Sequence, residues 1–379
     1  MSEIIALGQP TVGEAEIEAV REVFASGWLA GNGPTCRKFE EQFAAATGTA
    51  HALALNSCGG ALHLAMLALG VKPGDEVIVA DYTFPATGHA VMWTGAKPVF
   101  ADVRADTFTI DPQAAASLVT DKTAGIIAVD PFGLPADYDE LRAIADRHGL
   151  FIVQDAACSS GATYKGAPAG AQGDMATFSF HGRKGITAGE GGALVTDRAD
   201  LDAYARKMHS YGIEGAVTRA ALSNLPLPVF DEAGYNYRMS DVAAAIMIAQ
   251  LDRLPAILDA RAAVAKMYGE LLGDFELLTL PHVPADRTHP WQSYVVTLAK
   301  GVNRGEVAMS LRDRGVQCTF GTYASHQQPV YGEQPVLPVS ADLFDRHLAI
   351  PMHANLTDDQ VETVAATLRE IVTTVASKN

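Results

Sequence analysis

ATFSFHGRKGITAGEGGALVT, residues 176–196, decides how this chain folds. It reads as an apolar, β-rich run (ATFSF, 176–180), a glycine-rich loop carrying one lysine, and a second apolar run (ALVT, 193–196). Runs of the same kind recur upstream at HALAL (51–55), EVIVA (76–80), KPVFA (97–101), AGIIAV (124–129) and FIVQ (151–154). Between them lie segments of helical spacing such as GGALHLAMLALG and DYDELRAIADRHG, the second closed by Gly149 as a C-terminal stop. Seven short strands alternating with helices predict an α/β domain with a mostly parallel seven-stranded sheet between helices. Strands that are apolar on nearly every residue imply that both faces are covered. In such sheets ligands gather at the carboxyl ends of the strands, so the functional residues should follow the strands.

Downstream, residues 240–273 are continuously helical in pattern, with Pro255 predicting a kink or break, and look like a bridge between domains. The remainder carries a strand-like QSYVVTLA (292–299) and helical patterns around EVAMSLRDRG and DDQVETVAATLREIV. A chain of 379 residues exceeds what one core usually organises, so we expect a large domain over 1–250 and a small C-terminal α+β domain over 251–379.

Composition narrows the partners. A net charge of -16 opposes binding to nucleic acid or an anionic membrane, since both need a basic field. The N-terminal stretch has no basic-then-apolar leader pattern, and no apolar run approaches the roughly 20 residues that span a bilayer. Cys36, Cys58, Cys158 and Cys318 are scattered, without zinc spacing, so no metal site is expected and a reducing, cytoplasmic setting fits.

The chemistry concentrates at strand ends. Lys184 lies in the glycine-rich loop after a strand, where a partly desolvated amine can lose its proton and form an imine. Asp155 ends FIVQD, where a carboxylate could keep the pyridine nitrogen of pyridoxal phosphate (PLP) protonated and its ring electron-poor. In LNSCGGALHLAMLALG a strand, a tight turn and an apolar helix follow in order, so the backbone N–H groups of Cys58, Gly59 and Gly60 are candidate phosphate donors. Ser179 can add a hydroxyl there, and Phe84 can lie against a cofactor ring. Each has a plainer reading when taken alone: a solvated loop lysine, an N-cap aspartate, an ordinary strand-to-helix turn, a core phenylalanine. Their conjunction points to PLP.

Together with LGQPTVGEAEIEAVREVFASGWLAGNGP, PGDEVIVADYTFPAT, QDAACSSGATYKG, SFHGRKGITAGEGG, GYNYRMSDVAAAIMIAQLDRL and LAIPMHANLTDDQ, these segments resemble the nucleotide-sugar aminotransferase (DegT/DnrJ/StrS) family of fold type I PLP enzymes across nearly the whole chain. The resemblance implies that Lys184 carries PLP, Asp155 holds its pyridine nitrogen, Ser179 binds its phosphate and Phe84 stacks on its ring. It also implies a homodimer with shared active sites, because the family's GYNYRM asparagine and arginine, here Asn236 and Arg238, serve the neighbouring subunit's cofactor. Trp28 and Gly31 in GWLAGNGP, and Tyr323 and His326 in TYASHQQPVY, fall where relatives contact the sugar nucleotide. Two positions depart from the family: Cys58-Gly59 stands where Gly-Thr is common, and Cys158 stands where a Gln or His usually meets the ring oxygen.

The resemblance further implies transamination through PLP and its pyridoxamine form, with L-glutamate as donor and a nucleotide-linked 4-keto-6-deoxyhexose as acceptor. SFH before the lysine and GEGG after it look more like relatives that aminate C4 than like those that aminate C3. The alternatives are a C3-directed enzyme, a cyclitol aminotransferase, a dehydratase of the same family and a non-catalytic PLP-binding regulator. The dehydratases carry histidine in place of the lysine, and no basic helix-turn-helix supports a regulator.

Overall fold

The structure is a computed structural model that describes residues 4–213, 229–230 and 232–378. Its first ten strands are β1 His51–Leu55, β2 Glu76–Ala80, β3 Tyr82–Thr83, β4 Lys97–Ala101, β5 Thr123–Val129, β6 Phe151–Asp155, β7 Thr163–Tyr164, β8 Ala167–Pro168, β9 Met175–Ser179 and β10 Gly192–Thr196. Seven of them form one sheet in the order β1-β10-β9-β6-β5-β2-β4. All seven expected strands are present, β9 starting and ending one residue earlier than its apolar run suggests. Every pairing from β9 to β4 is parallel, whereas β10 runs antiparallel to both β1 and β9. The cause is local: residues 180–191 contain no helix, and without a crossover helix a strand returns antiparallel beside the one it left.

The helix Cys58–Ala68 starts at Ser57, whose Oγ accepts from Gly60 N at 3.1 Å. The helix Tyr138–His148 ends at Gly149, with φ 67°, the left-handed conformation that glycine adopts without a Cβ penalty.

Five further strands, β11 Leu278–Thr279, β12 Tyr294–Leu298, β13 Thr319–Phe320, β14 Tyr323–Ala324 and β15 His347–Ile350, complete the chain. Four make an antiparallel sheet, β11-β12-β15-β13, packed with the helices Arg304–Asp313 and Asp358–Ala376. Ile5 pairs in parallel with Val316 and joins the same apolar cluster, so the first described residues belong to that core. β14 pairs instead with β3, and Tyr82 Oη meets His347 Nδ1 at 2.8 Å, which ties the two sheets together at one seam.

The bridging helix Asp241–Leu272 runs through Pro255 without the predicted break. A proline inside a helix costs about 3 kcal/mol. Ala244 and Met247 are buried in an apolar cluster beside the seven-stranded sheet before it, and Val264, Tyr268 and Leu272 in the cluster of the four-stranded sheet after it. At about 2 kcal/mol per large apolar side chain, that burial outweighs the proline. No described helix is long and apolar enough to cross a membrane.

Candidate active site

A cavity of about 390 Å³ opens where the carboxyl ends of β5, β6 and β9 face the seam with the four-stranded sheet. Asp155, Lys184, Cys58, Gly59, Phe84, Cys158 and Ser179 all line it, so residues scattered over 127 positions of sequence meet at one place.

Asp155 is buried, its Oδ2 accepting from Thr87 Oγ1 at 2.8 Å and its Oδ1 from Ala157 N at 3.2 Å. Burial pushes its carboxyl up; the Thr87 hydroxyl, the Ala157 amide and Lys184 act the other way. Lys184 Nζ donates to Cys158 Sγ at 3.0 Å. Burial works against its charge, but Cys158, Cys58 and Asp155 outweigh that and hold the ammonium above its ordinary range. The Cys58 thiol is itself pushed up by burial, with Asp155 adding to the effect.

The lining fits PLP. Among the described residues, the N–H groups of Cys58 and Gly59 meet no acceptor at the start of their helix, and the Ser179 hydroxyl accepts only a long 3.5 Å contact from His181 N. That is a free anion site on a helix N-terminus. A Cβ on Gly192 would lie 2.4 Å from the Ser57 carbonyl carbon and 2.5 Å from Cys58 N, so only glycine lets this turn rest on β10. Phe84 is 61% exposed, which excludes a core role, and meets Tyr323 edge to face at 6.1 Å. A planar ring between Phe84 and the sheet would have its nitrogen end at Asp155 and its aldehyde end at Lys184.

The other sequence-nominated residues lie outside this lining. Tyr323 pairs with Thr83 across β14 and β3, while His326 is buried with its N and Nδ1 both 2.7 Å from Asp81. Trp28 donates Nε1 to Ala30 O at 3.0 Å. A Cβ on Gly31 would come within 2.4 Å of Met239 O, so its glycine is needed for a close backbone approach. Asn236 is exposed, and Arg238 donates to Ser210 Oγ at 3.0 Å and covers the Tyr211 ring at 4.9 Å.

Among the lining residues that the sequence reading did not nominate are Thr87, Asp130, Arg183 and Arg261. Thr87, in the DYTFPAT stretch, carried a faint signal three residues after Phe84. Asp130 follows the AGIIAV strand as Asp155 follows FIVQ, and the same strand-end argument applied to it. Among the described residues no cluster of His, Cys, Asp and Glu could hold a metal ion.

Comparison with known proteins agrees with this geometry. The profile of the DegT/DnrJ/EryC1/StrS aminotransferase family matches residues 10–369. The spore coat polysaccharide biosynthesis protein SpsC of Bacillus subtilis is 36% identical over 373 residues, covering 96% of each chain. DesI, solved in the presence of its TDP-sugar product, is 32% identical with a TM-score of 0.90, covering 100% of this chain and 95% of its own. The putative sugar aminotransferase Spr1654 of Streptococcus pneumoniae, in its PLP form, is 26% identical with a TM-score of 0.91, covering 98% of this chain and 99% of its own. The fold is that of the fold type I PLP aminotransferases, and PLP is the cofactor that this lining accommodates. With a lysine and a buried carboxylate converging at the sheet's carboxyl edge, the chain belongs to the DegT/DnrJ/EryC1/StrS aminotransferase family of PLP-dependent sugar aminotransferases.

Proposed function

We propose that this enzyme transfers the amino group of L-glutamate to a nucleotide-linked keto-6-deoxyhexose, at C4, by a ping-pong cycle. The observation that carries transamination is the convergence of Lys184 and Asp155 in one cavity. When bound, PLP supplies the electron-accepting ring and the carbon that holds the amino group between the two half-reactions. Lys184 removes the proton from the donor's α-carbon and returns one to the sugar carbon that gains nitrogen. Asp155 holds the proton on the ring nitrogen, Cys58 and Gly59 hold the phosphate by their N–H groups with Ser179, and Phe84 covers the ring.

DesI, with its TDP-sugar product, supports a nucleotide sugar as acceptor, and the SFH and GEGG flanks of the lysine favour C4. Asn236 and Arg238 lie outside the cavity of their own chain, which suits a homodimer in which they reach the partner's cofactor phosphate. Trp28, Gly31, Tyr323 and His326 would then shape the sugar-nucleotide approach, and a cytoplasmic setting would supply such substrates.

The test is to incubate the enzyme with L-glutamate and UDP-, TDP- and GDP-linked 3-keto and 4-keto sugars, locating the new amine by NMR. An amine at C4 of one of them is the expected product. Amination at C3, or of a free cyclitol ketone alone, would replace this assignment.

A further inference from the structure

Within a chain of net charge -16, one wall of the cavity carries two arginines without acidic partners among the described residues. Arg261, on the bridging helix, is only 3% exposed. Its Nη1 donates to Trp291 O at 2.7 Å and to Gln292 O at 3.3 Å, its Nε is sealed without a partner, and its Nη2 is engaged by no group of the described chain. No carboxylate of the described residues pairs with it. Burial lowers its pKa to about 10, and its positive charge helps burial to push His353 down. A buried guanidinium without a counter-ion is costly, and such a cost persists where an anion arrives to remove it.

Arg183 stands beside Lys184 on the exposed side of the same wall. Its carbonyl accepts from Gln292 Nε2 at 2.9 Å, and its guanidinium forms no ion pair or hydrogen bond with the described chain. Gln292 therefore joins both arginines, its amide holding the backbone of Arg183 and its carbonyl accepting from Arg261. The acids on the cavity lining do not compete for them. Asp155 and Asp130 are occupied by their own donors, and Glu190 is exposed and turned toward His181 at 3.8 Å.

We propose that Arg183 and Arg261 form a carboxylate-binding subsite that takes the amino donor's carboxylates beside Lys184. A guanidinium presents paired N–H donors that match a carboxylate's two oxygens, and the sealed position of Arg261 favours a small anion over a bulky diphosphate. The donor's identity as a dicarboxylic amino acid rests on the function proposed above; the anion site itself does not.

The probe is glutarate, the five-carbon dicarboxylate that lacks an amino group, titrated calorimetrically into the holoenzyme and into Arg183→Ala, Arg261→Lys and Arg261→Met. Loss of a charge-assisted contact predicts binding weaker by about tenfold or more in Arg183→Ala and Arg261→Lys, and undetectable in Arg261→Met. The KM for L-glutamate should rise in parallel, with the KM for the keto sugar unchanged. Arg183→Ala and Arg261→Lys keep the test intact if Arg261→Met fails to fold. Absent glutarate binding in the parent enzyme, equal binding by all forms, or a rise confined to the sugar's KM would each overturn the subsite. Because the donor half-reaction needs no sugar, failure to aminate any keto sugar would sink the acceptor assignment alone.

Discussion

Two carboxylates end neighbouring strands of the same sheet and line the same cavity, yet they are built for opposite tasks. Asp130 follows β5 and Asp155 closes β6, their backbones joined by a hydrogen bond from Asp130 N to Asp155 O at 3.1 Å. Both are buried, and burial pushes both carboxyls up, Asp130 to about 6. Asp130 receives four donors: Tyr138 Oη at 2.6 Å, Gln154 Nε2 at 2.7 Å, Ser159 Oγ at 2.7 Å and Ala136 N at 3.1 Å. Asp155 receives two from the chain and has capacity left for a third, which under the proposed function is the ring nitrogen of PLP. A saturated buried carboxylate organises the scaffold, whereas an incompletely satisfied one is held ready for a partner.

Neutralising each acid in turn separates the two carboxylates by what each loses. Asp155→Asn cannot stabilise a protonated ring nitrogen, so turnover should fall by about 10²–10⁴-fold while the melting temperature changes little. Retained turnover would mean that the ring nitrogen needs no carboxylate in this enzyme.

Asp130→Ala should reverse the pattern, leaving four donors without an acceptor and destabilising the fold by about 3 kcal/mol, read from denaturant unfolding. With a folded-state pKa of about 6 against an ordinary 3.8, Asp130 binds its proton more tightly when folded. Its contribution is fully present below the unfolded pKa and is lost as pH rises through the folded one. The parent protein should therefore lose stability relative to Asp130→Asn between about pH 4 and pH 6, and parallel stability curves would show that Asp130 does not titrate there.

What could be read in advance follows from what acts locally. The seven strands of the main sheet were legible because each is an apolar run between turns, and the place of Lys184 and Asp155 at the cavity because one lies in the loop after such a run and the other ends one. A break at Pro255 does not occur, because a local rule was overruled by burial at both ends of its helix. Arg261 lies 77 positions from Lys184 on a helix whose pattern spoke only of packing, so no spacing could place it in the cavity. Thr87 and Asp130 act through hydrogen bonds to partners far along the chain, which a linear pattern does not encode.

Thr87 offers the finest test, because it changes the number of donors at Asp155 without touching the carboxylate. Its hydroxyl lies between Thr83 Oγ1 at 3.0 Å and Asp155 Oδ2 at 2.8 Å. Thr87→Val keeps the shape and removes the donor, leaving Asp155 with Ala157 N alone. A hydrogen bond to the ionised form lowers a carboxyl pKa, so its loss must raise that of Asp155 further. The acid limb of the kcat/KM profile should move toward neutral pH, with turnover at its optimum reduced by about tenfold or less. Asp155 would then resemble Asp130 less in its surroundings, and its carboxylate would depend more on the ligand for its charge. An unmoved acid limb would mean that the two remaining groups, Ala157 N and Lys184, hold Asp155 ionised without the threonine.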